Sequence, residues 1–199
     1  MSIYLGSNKI KNLYFGSQKI GSIYLGGQKV YSAGGSIPSV KIGNQIWMSK
    51  NLAIDDGNGG IYTQTVNYGQ GSVTEYYYTW PAALRVAASV QGWHLPTQAE
   101  WNTLASAVGS GPGTKLKSTY GWSSGNGTDK YGFTGLPAGR RDTSSFVNFG
   151  SYAYFWTADQ YYTSSDAYYR RLTYNKTTVY SSSCGQTSYY HTVRLVKDS

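Results

Sequence analysis

The chain has 199 residues, enough for one domain with a sizeable core plus an appendage and too few for two equal domains. Only 13% of the residues are charged, and 25 Gly, 21 Tyr and abundant Ser and Thr favour strands, turns and long loops over a helix bundle. No basic stretch followed by an apolar run opens the chain and no run of 18 apolar residues occurs, so neither an export leader nor a membrane span is expected.

The formal net charge of +8 comes from 17 Lys and Arg against nine acids, and Lys9, Lys11, Lys19, Lys29, Lys41 and Lys50 all precede the first acid, Asp55. The basic excess is partly local. It reads either as solvated lysines at turns and strand edges, which discourage edge-to-edge pairing, or as a contact for nucleic acid or an anionic surface. Cys184 is the sole cysteine, which excludes an intrachain disulfide and a multi-cysteine metal site.

In chain order, the first element is a three-fold repeat. Ile3-Tyr4-Leu5-Gly6-Ser7-Asn8-Lys9-Ile10 recurs at Leu13–Ile20 and at Ile23–Val30, with a strict period of ten. Each unit is a short apolar run meeting a Gly-Ser-Asn, Gly-Ser-Gln or Gly-Gly-Gln turn, which predicts a small β-meander of hairpins. Such a ribbon cannot bury a core alone. Residues 1–32 therefore need a partner surface, either the rest of the chain or further copies around a symmetry axis. Residues 33–39 read as a linker, because Gly, Ser and Pro interrupt both patterns.

Residues 40–199 form the main domain. Val40–Met48 reads as two strand segments around a turn at Gly43-Asn44. A first helix starts near Thr79, its N-cap, with Pro81 tolerated in the first turn. A second follows Gly92–Thr97, where Thr97 and Glu100 form a capping box and Trp101, Leu104 and Val108 mark the buried stripe.

The strings Ile42–Met48, Gly92–Thr97 with Glu100-Trp101, Leu116-Lys117-Ser118, Gly132-Phe133, Leu136–Arg140, Phe155-Trp156 and Val193–Asp198 occur in order. Together they resemble the Fibrobacter succinogenes major paralogous domain. The resemblance implies an α+β fold: a C-type-lectin-like domain, in the branch shared with formylglycine-generating enzymes, with two short helices and twisted antiparallel strands. Some members of that branch are variable proteins of diversity-generating retroelements, whose C-terminal segment is mutagenised at template adenines.

Ser151–His191 has that look, with ten Tyr and seven Ser in 41 residues. Tyr is a rigid, amphipathic contact of low entropic cost, and Ser, Asn and Gly add adaptable hydrogen bonding. Framework candidates Phe155, Trp156, Ala167, Leu172, Val179, Val193 and Arg194 alternate with candidate ligand-binding residues Tyr161, Tyr162, Asp166, Tyr169, Tyr174, Asn175, Tyr180, Tyr189, Tyr190 and His191. On a strand one member of each tyrosine pair turns inward, whereas in a loop both face out. Tyr152 and Tyr154 are candidates for the core.

The repeat is similar to attachment segments of phage tail proteins. With the domain, it implies a homotrimeric receptor-binding protein of a virion that recognises a bacterial surface protein or glycan, with no membrane insertion. The alternatives are a bacterial cell-surface adhesin of the same fold and a nucleic-acid-binding protein using Arg170, Arg171 and Lys176 beside the tyrosines.

Enzymatic readings lack residues. Gly121-Trp122-Ser123-Ser124-Gly125 spells a nucleophile elbow but sits among loop formers, and only His94 and His191 could serve as base. His94 and Arg194 read as structural. Formylglycine-type oxidation needs a cysteine pair. Asp55–Gly59 lacks the distal acid of a calcium loop and reads as an Asx-rich turn. No cofactor and no metal is expected.

Overall fold

The computed structural model of the chain describes residues 37–162 and 165–198 and, as backbone, the strand residues 4–5, 8–9, 14–15, 18–19, 22–25 and 28–32. The chain divides into two units, Met1–Ile37 with Asp56–Gly59 and Pro38–Asp55 with Gly60–Ser199.

In the first unit each repeat closes on itself. β1 (Tyr4–Leu5) pairs antiparallel with β2 (Asn8–Lys9), β3 (Tyr14–Phe15) with β4 (Gln18–Lys19), and β5 (Ser22–Leu25) with β6 (Gln28–Ser32). Tyr4, Tyr14 and Tyr24 face Lys9, Lys19 and Lys29, so one register is used three times. The hairpin expected within each unit is present, and a meander joining the units is not: among the described residues the ladders are three separate two-stranded sheets. Closing a hairpin within one repeat costs less chain entropy than pairing across a boundary. The expected linker residues 33–36 and the repeat side chains expected to mediate assembly lie outside the described residues. In Asp56–Gly59, Asn58 N donates to Asp56 Oδ1 at 3.1 Å, an Asx turn.

The second unit is a mixture of strands and short helices. β7 (Ser39–Ile42) and β8 (Gln45–Met48) form a hairpin on Gly43-Asn44, where Gly43 takes the left-handed conformation (φ 61°) that a side chain resists. A second hairpin, β9 (Ile61–Asn67) and β10 (Ser72–Tyr78), leads into α1 (Trp80–Ala88), α2 (Gln98–Val108) and the five-residue α3 (Pro112–Leu116). The sequence predicts two helices; α3 is a third. Thr79 caps α1, accepting from Ala82 N, and Thr97 with Glu100 closes the capping box of α2. His94 Nε2 lies 2.5 Å from Glu100 Oε1. Against the pull of partial burial, hydrogen bonds from Thr97 and His94 hold the Glu100 carboxyl below its ordinary range.

Irregular chain follows α3. The Gly121–Gly125 string lies within it, with neither the strand before nor the helix after that a nucleophile elbow requires. Beyond it come a short hairpin, β11 (Arg140–Arg141) with β12 (Phe146–Val147), and the antiparallel strands β13 (Tyr152–Gln160), β14 (Asp166–Thr173) and β15 (Tyr180–Gly185). The final strand, β16 (Val196–Asp198), returns to β8, so one sheet runs β16-β8-β7 and another β13-β14-β15. Among the described residues no helix is long and apolar enough to cross a membrane.

Trp47, Trp101, Phe133 and Phe155 are fully buried and meet at ring distances of 4.9 to 6.0 Å. Arg194 is buried beside them, its Cζ 4.6 Å from the Phe133 ring. Its guanidinium donates to the carbonyls of Met48, Phe133 and Thr134 and to Asn51 Oδ1. Asn51 Nδ2 in turn donates to Glu75, which also accepts from Tyr68. Burial brings the Arg194 pKa down to about 10, which leaves it charged at neutral pH. Arg194→Met is expected to cost roughly 3–5 kcal/mol in urea unfolding, and Arg194→Lys not to restore it, because one ammonium cannot reach all the acceptors.

Candidate binding face

Successive residues of β13, β14 and β15 point to opposite faces of their sheet. Ala153, Phe155 and Leu172 are fully buried on one face, Phe155 lying 5.4 Å from Trp101 of α2. Arg170 shares that face, and its Nη2 donates to Gln98 O and Asn102 Oδ1, both at 2.9 Å. The other face carries Tyr152, Tyr154 and Trp156, then Tyr169, Arg171 and Thr173, then Tyr180, Ser182 and Cys184. Register aligns Trp156, Tyr169 and Ser182 in one row and Tyr154, Arg171 and Tyr180 in the next.

Part of this second face is sealed. His191 is 0% exposed, stacked on Tyr154 (centroids 5.1 Å apart) and lying 4.2 Å from Trp156 and 4.9 Å from Tyr169. Its Nε2 sits 3.3 Å from Cys184 Sγ. Burial, reinforced by the charge of Arg140, drives the His191 pKa well below its ordinary value, and burial pushes the Cys184 thiol up to about 12. Both are therefore neutral at pH 7. His191 and Tyr169, expected as ligand contacts, are corrected: both are buried, Tyr169 because strand alternation puts it in the row of Trp156 and His191 because Tyr154, Trp156 and Tyr169 enclose it.

The rest of the face is open and basic. Arg171 Cζ lies 4.9 Å from the Tyr152 ring and 4.6 Å from the Tyr180 ring, in a groove of about 380 Å³ shared with Tyr174, Asn175 and Lys176. Tyr180 is 50% exposed. Next to it, Arg140 Cζ lies 5.2 Å from Tyr154 and 4.4 Å from Tyr189, and Arg141 Cζ lies 3.8 Å from Tyr62 and 5.2 Å from Tyr190. Gly139 places this doublet: at φ 65°, a Cβ there would strike the Val147 carbonyl. Tyr152 and Tyr154 were both candidates for the core, but only Tyr154 is buried. Tyr62, Arg141 and the role of Arg140 do not follow from the sequence reading. The signal that points to the arginines is their doublet directly after Gly139.

A third group is separate. Tyr161 lies 5.1 Å from both Tyr162 and Tyr168, and Tyr162 is 91% exposed. Asp166 and Tyr168 share the alternation of Arg170, on the opposite face of β14 from Arg171. β13 alone spans roughly 25 Å, so a small ligand cannot bridge Tyr162 and Tyr180. The ten candidates thus fall into the groove group (Tyr174, Asn175, Tyr180), the arginine-doublet group (Tyr189, Tyr190), the hairpin group (Tyr161, Tyr162, Asp166) and the buried pair.

Among the described residues no three His, Cys, Asp or Glu side chains stand together as a metal ion would require. His191 gives a pH test. The fold holds it neutral, whereas the unfolded chain protonates it near pH 6.5, so its contribution is present above that value and lost as pH falls below it. Stability is expected to drop by roughly 1 kcal/mol per pH unit on this account, and His191→Phe, which keeps a ring in the stack, to flatten the slope in melts between pH 7.5 and 5.

Residues 40–197 match the model of the Fibrobacter succinogenes major domain. No curated protein and no solved structure matches the chain. The matched span runs from β7 into β16 and contains every residue of the face described above, and on that match the chain belongs to the Fibrobacter succinogenes major domain family.

Proposed function

We propose that this chain is a non-enzymatic ligand-binding protein with a C-type-lectin-like scaffold, displaying a diversified Tyr- and Ser-rich face to a bacterial surface ligand. Its place is a phage tail tip, as a trimer held through residues 1–32. The observation that carries the reading is the interleaving of rigid and open positions within 151–191. Phe155, Trp156, Ala167 and Leu172 have no exposure, while Tyr162 and Tyr180, from the same segment, stand 91% and 50% exposed. Large aromatic side chains left in solvent, with Tyr180 beside Arg171, have the composition of binding surfaces. The two strands and the terminal pairing of β16 with β8 support the scaffold reading.

Replacing Tyr162 and Tyr180 together by Ser is expected to abolish adsorption to bacterial cells while the melting temperature moves by only a few degrees, as exposed substitutions do. Unaltered adsorption, or loss of the fold, sinks the reading. The diversified origin makes a separate prediction about the genome. A near-copy of the DNA encoding 151–191, differing almost solely at adenines, is expected beside a reverse-transcriptase gene, and sequencing the locus decides it.

A further inference from the structure

We propose that Arg171 and Arg140, each clamped between two tyrosines, are paired subsites for the carboxylate or sulfate groups of an acidic polysaccharide. The inference rests on the reading of this face as a ligand-binding surface and adds the class of ligand. A guanidinium carries five donors in one plane. The rings of Tyr152 and Tyr180 lie 4.9 and 4.6 Å from Arg171 Cζ, and those of Tyr154 and Tyr189 lie 5.2 and 4.4 Å from Arg140 Cζ, so aromatic contacts hold each cation without using its N–H donors, which stay available to an oxyanion.

The Nε atoms of Arg171 and Arg140, like that of the inward-facing Arg170, are buried without a hydrogen-bond partner, and among the described residues neither Arg171 nor Arg140 has a carboxylate within ion-pair distance. Arg194 shows the contrast, since protein acceptors occupy its donors. With Nε enclosed, the Nη atoms are the donors an anion meets, and charge-assisted hydrogen bonds to them supply the affinity. Lys176 adds a second cation to the Arg171 groove, among the described residues no acid lines it, and the exposed Asn175 and Thr178 offer the amide and hydroxyl partners a sugar ring needs.

The two clamps adjoin through Tyr152 and Tyr154, whose rings lie 5.7 Å apart. Two adjacent anion subsites suit a polymer with an anion on successive units. Single-stranded nucleic acid depends on free aromatic faces for base stacking. Here Arg171 occupies a face of Tyr152 and of Tyr180, and Tyr154 is held between Arg140 and His191.

The test is titration of the full chain at physiological salt with polygalacturonate, dextran sulfate, neutral dextran, polyglutamate and an oligothymidylate. Polygalacturonate or dextran sulfate is expected to bind, the responding one identifying the anion, and neutral dextran is not. Arg171→Gln and Arg140→Gln are each expected to weaken binding by about tenfold or more. Arg171→Lys keeps stem and charge, controls for folding in a melt, and is expected not to restore affinity. Lys41→Gln, which removes one charge from β7, leaves binding unchanged.

The proposal is overturned if neither acidic polysaccharide binds, if the arginine variants bind like the parent, or if polyglutamate or oligothymidylate binds as tightly. Should tyrosine substitutions abolish adsorption to cells while acidic polysaccharides neither bind nor compete, this inference fails and the ligand-binding face stands. Should no tyrosine or arginine substitution alter adsorption, both fail.

Discussion

The contact between Phe155 and Trp101, with centroids 5.4 Å apart, decides which side of the β13-β14-β15 sheet faces solvent. Side chains on a strand alternate with a period of two, so seating Phe155 on α2 sends Tyr154 and Trp156 to the opposite side. Cross-strand pairing carries the choice to Tyr169, Arg171 and Tyr180. A slip of one residue would bury Arg171 and expose Leu172. The core pattern of one face thus sets the composition of the other.

Neighbouring arginines show how far that choice reaches. Arg170 turns inward, where α2 supplies a carbonyl and an amide for its Nη2. One residue on, Arg171 turns outward and meets the rings of Tyr152 and Tyr180. Aromatic faces stabilise a cation without neutralising it. Tyrosines packed around Arg171 therefore leave its charge in place, whereas, after hydrogen bonds from Ser145 and Ser144, the charge of Arg140 also acts on Asp142 and helps to lower its pKa. Tyr154 feels both tendencies: burial raises its hydroxyl pKa, and the charges of Arg140 and Arg171 oppose the rise.

Features governed by local chemistry were legible in the sequence. Thr79, Thr97 and Glu100 cap helices through contacts three residues away, and Gly43 turns a hairpin through its own backbone freedom. The framework residues Phe155, Trp156, Ala167 and Leu172 were also legible. What escaped depends on neighbours remote in the chain. Tyr62 meets Tyr190 and Arg141 only because β9 and the segment ending at His191 converge. His191 looked like a polar contact at the end of a tyrosine pair, yet Tyr154, Trp156 and Tyr169 enclose it. The repeat shows the same limit, since the hairpin within each unit was readable from its turn residues and the separation of the hairpins was not.

Adjacent tyrosines in one pair need not share a physical role. Tyr168 and Tyr169 are one residue apart on β14, but Tyr169 packs under His191 and Tyr168 reaches Tyr161 on the other face. Substituting a residue like Tyr169 removes buried ring contacts at a cost of several kcal/mol, whereas changes at a position like Tyr162 stay within about half a kcal/mol. A surface able to vary while the fold persists must therefore draw its variable positions from the second kind. On this chain that criterion favours Tyr162, Asn175 and Tyr180 and excludes Tyr169 and His191, so tolerance to change follows from strand alternation and packing, not from residue type.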